Sequence, residues 1–254
     1  LGALPSRVPA GVAAKATSHP GYIANPLLEG TLDGLRRNAS VLELGRGLTM
    51  IDTLIALNRA GHHGPILALS RHGQTPLPHA TGHGAALADP LPGGLAAGRL
   101  SAGVRHLRRW AVTGTDWRSA LDALRPLLPD YWRHAEAAER RRFLRHVASY
   151  WSVHRHRLPP AHWEQLQESV ESGQLEVRAG RLLRLAPAGR SLVAEIRRRG
   201  SATAECLRFA AVVQATGFGD DLAASADPLL RSLLDAGLLR PDSLGLGADV
   251  DAGL

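Results

Sequence analysis

One cysteine, one methionine and one lysine are all that 254 residues contain. The lone thiol, Cys206, excludes an internal disulfide and fits a reducing compartment, so a cytoplasmic location is expected. Long apolar runs are also missing: the hydrophobic stretches are short and interrupted by Arg, Gly or Pro, and none reads as a membrane span. The N-terminus shows no charged flank followed by an apolar block, the pattern of a secretory leader. With Lys15 the sole lysine, the net charge of +7 is carried almost wholly by arginine. These arginines are scattered rather than gathered on one face, and the Ala-, Leu-, Gly- and Pro-rich composition is what GC-rich coding produces. Nucleic acid is therefore not the expected partner.

What is present suffices for a core. An apolar fraction of 44% is ordinary for a globular chain, and the length suits one large or two small domains. Both ends read as cut, Leu1-Gly2-Ala3-Leu4-Pro5 opening on no element and Asp249–Leu254 closing none. The chain is expected to be a piece of a longer protein, or one whose true start was placed too late.

Residues 1–38, rich in Pro, Gly and Ala, read as a connecting segment. Val41–Leu44 predicts a strand, Gly47–Ala60 a helix with apolar Leu48, Ile51, Leu54, Ile55 and Leu57, and Pro65–Ser70 a second strand. Gly61 stands where a left-handed helix cap is wanted. Strand, helix and strand on short loops are the βαβ arrangement of a parallel sheet. Residues 73–98 are loop-like. From about 99 to 173 the period becomes helical, and all five tryptophans (110, 117, 132, 151, 163) fall there, predicting a helical insert with its own small core. Short strands follow at Leu175–Val177, Leu182–Leu185, Leu192–Ile196 and Leu207–Phe209, with turns at Gly180, Gly189 and Gly200. Ala210–Gly217 ends this run as a buried strand, and a last helix runs through Pro228–Leu234, capped by Gly237.

The segment VLELGRGLTMID (41–52) carries most of the functional information. A dinucleotide site needs backbone N–H groups close to a doubly charged diphosphate. One glycine permits the tight turn, a second removes a Cβ that would block the phosphate, and the helix N-terminus adds partial positive charge. Gly45 and Gly47 meet the first two demands between a strand and a helix. Met50 replaces the third glycine, which serves helix–strand packing and does not touch the phosphate. The bland alternative is an ordinary strand–turn–helix. At the end of the second strand, where NAD-binding chains place a carboxylate for the ribose, stands Ser70-Arg71-His72. Arginine there can pair with the 2′-phosphate of NADP and stack on adenine, although a solvated strand-end arginine is the simpler reading. Together the features point to NADPH, with Thr49 as a further hydroxyl donor.

Four stretches, VLELGRGLTMIDTLIALNRAGHHGPILALSRHG (41–73), RRFLRHVASYWSVHRHRLPP (141–160), VVQATGFGDD (212–221) and ADPLLRSLLDAGLLRPDSLGLGADVD (226–251), resemble the bacterial FAD/NAD(P)-binding protein family. Its members are mostly uncharacterised flavoprotein oxidoreductases, distantly similar to flavin-dependent N-hydroxylating monooxygenases. The resemblance implies a Rossmann-like α/β fold with two dinucleotide-binding domains, a helical insert and a small antiparallel meander. It divides the chain into 1–37, the tail of an FAD-domain segment and linker; 38–209, the NAD(P) domain with its insert; and 210–254, a return to the FAD domain. It implies that Thr216 and Gly217 approach the flavin. The implied cofactor-binding set is thus Gly45, Gly47, Leu48, Thr49, Ser70, Arg71, His72, Thr216 and Gly217.

The family's own FAD fingerprint is absent. Gly217-Phe218-Gly219 leads into two aspartates, and Gly245-Leu246-Gly247 has no apolar strand before it. The expectation is that this chain binds NADP, cannot hold FAD tightly by itself, and serves as the NAD(P)H-binding portion of an oxidoreductase acting on a small molecule. The rival is a non-catalytic, truncated nucleotide- or partner-binding module. Histidines at 62, 63, 154 and 156 lack a third ligand at metal-site spacing. No G-x-S-x-G marks a serine hydrolase. The basic run Arg140–Arg142 reads as a solvated helix face rather than a docking surface, and Glu43 is an oddity inside a strand expected to be buried on both sides. No residue is assigned as acid or base.

Overall fold

The computed structural model describes residues 4–80, 100–112 and 116–250, with the side chains of 110–112 outside that set. The remainder of the loop expected over 73–98, the two chain ends and the surroundings of Trp110 therefore lie outside the described residues. In chain order the elements are α1 (Ala14–Thr17), β1 (Tyr22–Ile23), β2 (Val41–Leu44), α2 (Leu48–Arg59) and β3 (Ile66–Ser70). Next come six helices, α3 (Leu100–Val112), α4 (Trp117–Leu124), α5 (Leu128–His134), α6 (Ala137–His146), α7 (Ala148–Arg155) and α8 (Pro160–Glu171). They are followed by β4 (Leu175–Ala188), β5 (Ser191–Arg198), β6 (Glu205–Phe209), β7 (Ala211–Gln214) and α9 (Pro228–Asp235).

The seven strands of the described residues form one sheet in the order β1-β7-β2-β3-β4-β5-β6. The pairs from β1 through β4 are parallel, and β4-β5-β6 is an antiparallel meander. Every residue of β2 and β7 is buried, the continuous apolar reading of a strand covered on both faces. Side chains alternate between two cores, as a period of two demands. Val41, Ile66, Ala68, Val213 and Ala215 join Met50, Ile51, Leu54 and Leu57 of α2 and Leu166 of α8. Leu42, Leu44, Leu67, Leu69 and Val212 instead meet Leu192, Ala194 and Ile196 of the meander. Helices thus cover one face of the parallel strands and the meander covers the other. Each fully buried Leu or Ile contributes about 1.5–3 kcal/mol of transfer free energy.

The mixed α/β, parallel-dominated sheet with a helical insert and meander is the architecture expected, but three local readings change. The connecting segment 1–38 contains β1, which pairs with Val212 and Val213; two residues show no periodicity, so only the distant partner defines them. Gly180 is not a turn. It lies inside the continuous β4, where a Cβ would meet the Arg197 carbonyl oxygen at 2.8 Å, so glycine here permits close backbone approach. The strand changes partner near this point, pairing with β3 through Ala179 and with β5 from Gly180 onward. A register shift between Leu182 and Arg184 leaves Leu183 as a bulge, which puts Leu182 and Leu185 on the same core despite their odd spacing. Third, Trp163 packs against the helix-side core of the sheet, not within the insert. Trp132, Phe143 and Trp151 do form an aromatic chain inside the insert, with centroids 6.0 and 6.3 Å apart.

Candidate functional site

A cavity of about 1030 Å³ opens where the parallel strands end. Its walls are the loop after β2, the ends of β3 and β7, the middle of β4, residues 9–10 and one face of α7. In open α/β sheets this crevice beyond the carboxyl ends of the strands is where ligands bind. The nine residues singled out in sequence, Gly45, Gly47, Leu48, Thr49, Ser70, Arg71, His72, Thr216 and Gly217, all line this single space.

The two loop glycines have different jobs. Gly45 has φ +145°, and a Cβ there would lie 2.0 Å from the Ala215 carbonyl oxygen. Its amide donates to the Leu69 carbonyl at 3.0 Å, so the loop is clamped between β3 and the end of β7. Gly47 has an ordinary φ of −83° and serves as N-cap of α2 without a side-chain cap. A Cβ on Gly47 would meet nothing within 4 Å. The first glycine is required by the protein; the second faces open space at an uncapped helix start, where free amides and the helix dipole favour an anion. Met50, at the third position of the fingerprint, is fully buried in the helix-side core.

The lining contains Arg46, Arg71, Arg181, His72 and His156 and, among the described residues, no Asp or Glu. Arg46 donates from Nη2 to the Ser149 carbonyl oxygen at 2.6 Å and hydroxyl at 2.9 Å, tying the glycine loop to α7. Burial and then the neighbouring Arg71 hold its guanidinium below the ordinary range. The Ser70 hydroxyl accepts from the Gly73 amide at 3.0 Å, leaving its own proton free to donate. The His72 Nδ1 lies 3.3 Å from Arg199 Nη1, and its ring centroid is 5.7 Å from that of Tyr150. Burial, Arg199, Arg71 and Arg46 all depress its pKa. Beside the end of β7, the buried Gln214 donates to the Arg7 carbonyl at 3.0 Å and accepts from Tyr22 at 2.5 Å, and the Ser6 hydroxyl donates to the Gly217 carbonyl. Arg46, Arg181, Arg199 and Ser149 escaped the sequence reading. Only Arg46, by its place between the glycines, carried any local signal.

No family model matches the chain, and no curated protein matches it. Solved structures do. An L-lysine 6-monooxygenase from Pseudomonas syringae superimposes on 96% of this chain and 49% of its own, with a TM-score of 0.57 and 18% identity. The reduced form of an ornithine hydroxylase from Pseudomonas aeruginosa covers 85% of this chain and 44% of its own, with a TM-score of 0.49 and 15% identity. An ornithine N-hydroxylase from Kutzneria sp. 744, solved with reduced FAD, NADP+ and L-ornithine, covers the same shares at a TM-score of 0.44 and 15% identity. The mixed α/β fold with its parallel-dominated sheet matches that of the L-lysine 6-monooxygenase. At these identities the likeness is one of fold, and the chain spans about half the length of the solved structures it matches.

Other candidate chemistry finds no support in the geometry. Among the described residues no three His, Cys, Asp or Glu gather as a metal would require. His154 bonds the Tyr150 carbonyl through Nδ1 at 2.7 Å and packs edge-on against Trp117. Ser152 and His156 approach to 3.4 Å on one helix face, but among the described residues the cavity lining holds no carboxylate to orient the histidine. No described helix is long and apolar enough to cross a membrane.

Proposed function

We propose that the chain is the NADPH-binding portion of a flavoprotein oxidoreductase. The observation that carries this reading is an arginine-lined cavity at the strand ends, without Asp or Glu among the described residues, opening onto the uncapped start of α2 beside Gly47. The residues present fit NADP: Gly47 with the Leu48 and Thr49 amides cradles the diphosphate, and Arg71 with Ser70 holds the 2′-phosphate. NADPH supplies a hydride in such proteins, and the chain's task is to seat and orient it. Exclusion of carboxylates keeps the cavity attractive to a ligand of several negative charges.

Among the described residues there is no second cradle for FAD. After Gly217-Phe218-Gly219 comes only the 3-10 turn Leu222–Ala224, and the Asp221 carboxylate occupies its cap. A carboxylate there repels a phosphate. Thr216 and Gly217 stand at the mouth of the NADPH cavity, a position suited to meeting a flavin held by further segments of a longer protein. Residues 38–209 would then form the nicotinamide domain and 210–254 the returning flavin segment.

Titration of the purified chain with NADPH, followed by calorimetry, tests this directly. Saturable one-to-one binding is expected, and the protein is expected to purify without flavin. Absence of saturation at millimolar NADPH would overturn the proposal, and stoichiometric yellow protein would overturn its second half.

A further inference from the structure

Three consecutive arginines close β5 and open the turn to β6: Arg197 and Arg198 end the strand and Arg199 begins the turn. Arg198 is neutralised, its Nε 2.8 Å from Glu205 Oε1, a carboxylate it shares with Arg178. Arg199 is turned elsewhere. Its amide bonds the Ala179 carbonyl at 2.9 Å, which brings the turn back over β4, and its Nη1 reaches His72. A guanidinium has only donors, so His72 Nδ1 accepts and the imidazole proton resides on Nε2. The groups facing His72 are Arg71 beside it, Arg46 from the glycine loop, Arg199 from this turn and the Tyr150 ring from α7. None is acidic, and among the described residues none of the three arginines has a carboxylate within 4.0 Å. Cations gathered without a counter-ion repel one another, an arrangement that an arriving anion relieves.

We propose that Arg199 and His72 complete, with Arg71, a clamp for a phosphomonoester dianion, and that Arg199 makes the site select the 2′-phosphorylated dinucleotide over the unphosphorylated one. This deepens the NADPH reading and rests on it. A terminal phosphate presents three oxygens, more than one arginine satisfies. The Arg71 fork takes two in a bidentate pair, and Arg199 with the His72 Nε2–H meets the third. Burial and then the surrounding cations disfavour the charged ring, and the neutral form donates without adding to the repulsion.

The test is calorimetric titration of the full chain and its Arg199→Gln and Arg199→Lys variants with NADPH, NADH and adenosine 2′-monophosphate. Arg199 is exposed and is held to the fold through its backbone, so circular dichroism of the variants should match the parent. The expected result is a loss of about tenfold or more for NADPH and adenosine 2′-monophosphate in Arg199→Gln, the scale of one charged hydrogen bond. NADH should stay within about twofold, and lysine should restore part of the loss. Parent protein that binds NADPH while Arg199→Gln leaves it unchanged, or weakens NADH equally, overturns the clamp and leaves the NADPH reading standing. Parent protein that binds adenosine 2′-monophosphate but not NADPH keeps the clamp and overturns that reading. Failure to bind any of the three overturns both.

Discussion

Arg46, between the two loop glycines, donates to both the carbonyl oxygen and the hydroxyl of Ser149. The segment that would carry the diphosphate is thereby tied to the helical insert 103 positions away, and α7 becomes one wall of the cavity. Among the described residues the other tie of the loop to the sheet is the Gly45 amide on the Leu69 carbonyl of β3.

Arg46→Ala should weaken NADPH and NADH alike, by about tenfold, because the diphosphate is common to both. Ser149→Ala removes one acceptor and keeps the carbonyl. It should cost about 1 kcal/mol of stability and leave affinity within twofold. Paired melting and titration experiments check both, and a selective loss of NADPH in Arg46→Ala would place that side chain at the 2′-phosphate instead.

The glycines should separate stability from binding. A methyl on Gly45 collides with the Ala215 carbonyl and strains a left-handed backbone, so Gly45→Ala should lower stability by more than about 3 kcal/mol. Gly47 has an unstrained φ and nothing near its missing side chain. Gly47→Ala should melt within a few degrees of the parent yet bind NADPH at least tenfold more weakly. Equal melting temperatures with unchanged affinity would show that the space beside Gly47 is not the diphosphate seat.

The strands β2 and β3, the helix between them and the lining residues of the glycine loop and the β3 end were readable from sequence because their signals are local, whereas Thr216 and Gly217 came only through the family resemblance. Apolar runs, a helix face and strand-end loops each declare themselves within a dozen residues. Three kinds of information were not local. β1 is a strand only because Val212 and Val213 lie beside it. β4 conceals a change of partner, which its glycine disguised as a turn. Arg199 looks like any surface arginine until the meander folds it against His72. Long-range approach, rather than composition, built those parts of the site.

Alkaline pH gives a test of the contact between β1 and β7. Burial pushes the Tyr22 hydroxyl up to about 12 from an ordinary value near 10. Between those values the folded chain retains a proton that the unfolded chain loses, so stability falls as pH rises through that window. Tyr22→Phe should flatten this limb while costing about 1 kcal/mol at neutral pH through the orphaned Gln214 acceptor. Melting between pH 9 and 11 checks it; an unchanged alkaline slope would show that Tyr22 ionises as freely in the fold as out of it.

Glu43 offers the sharpest pH signature. It is fully buried in the middle of β2, faces the helix-side core, and neither carboxylate oxygen has a partner among the described residues. Burial drives its pKa well above the ordinary carboxylate range, so the fold keeps it protonated. The unfolded chain releases that proton above about pH 4.3, and from there upward the folded state binds more protons than the unfolded one. Stability from this group is therefore greatest at low pH and declines as pH rises towards the folded pKa. The depressed carboxylates Asp116, Glu139, Glu176 and Glu205 act oppositely, but below about pH 5. The buried His62, whose pKa is lowered, favours the fold as pH rises through the histidine range. Subtracting a Glu43→Gln variant from the parent cancels both contributions. The difference curve from pH 5 to 8 should favour the variant increasingly, and Glu43→Leu, which removes the polar group outright, should gain about 1–3 kcal/mol at pH 8. A flat difference curve would mean that the carboxylate finds a counter-charge in solution and is not the neutral group its burial demands.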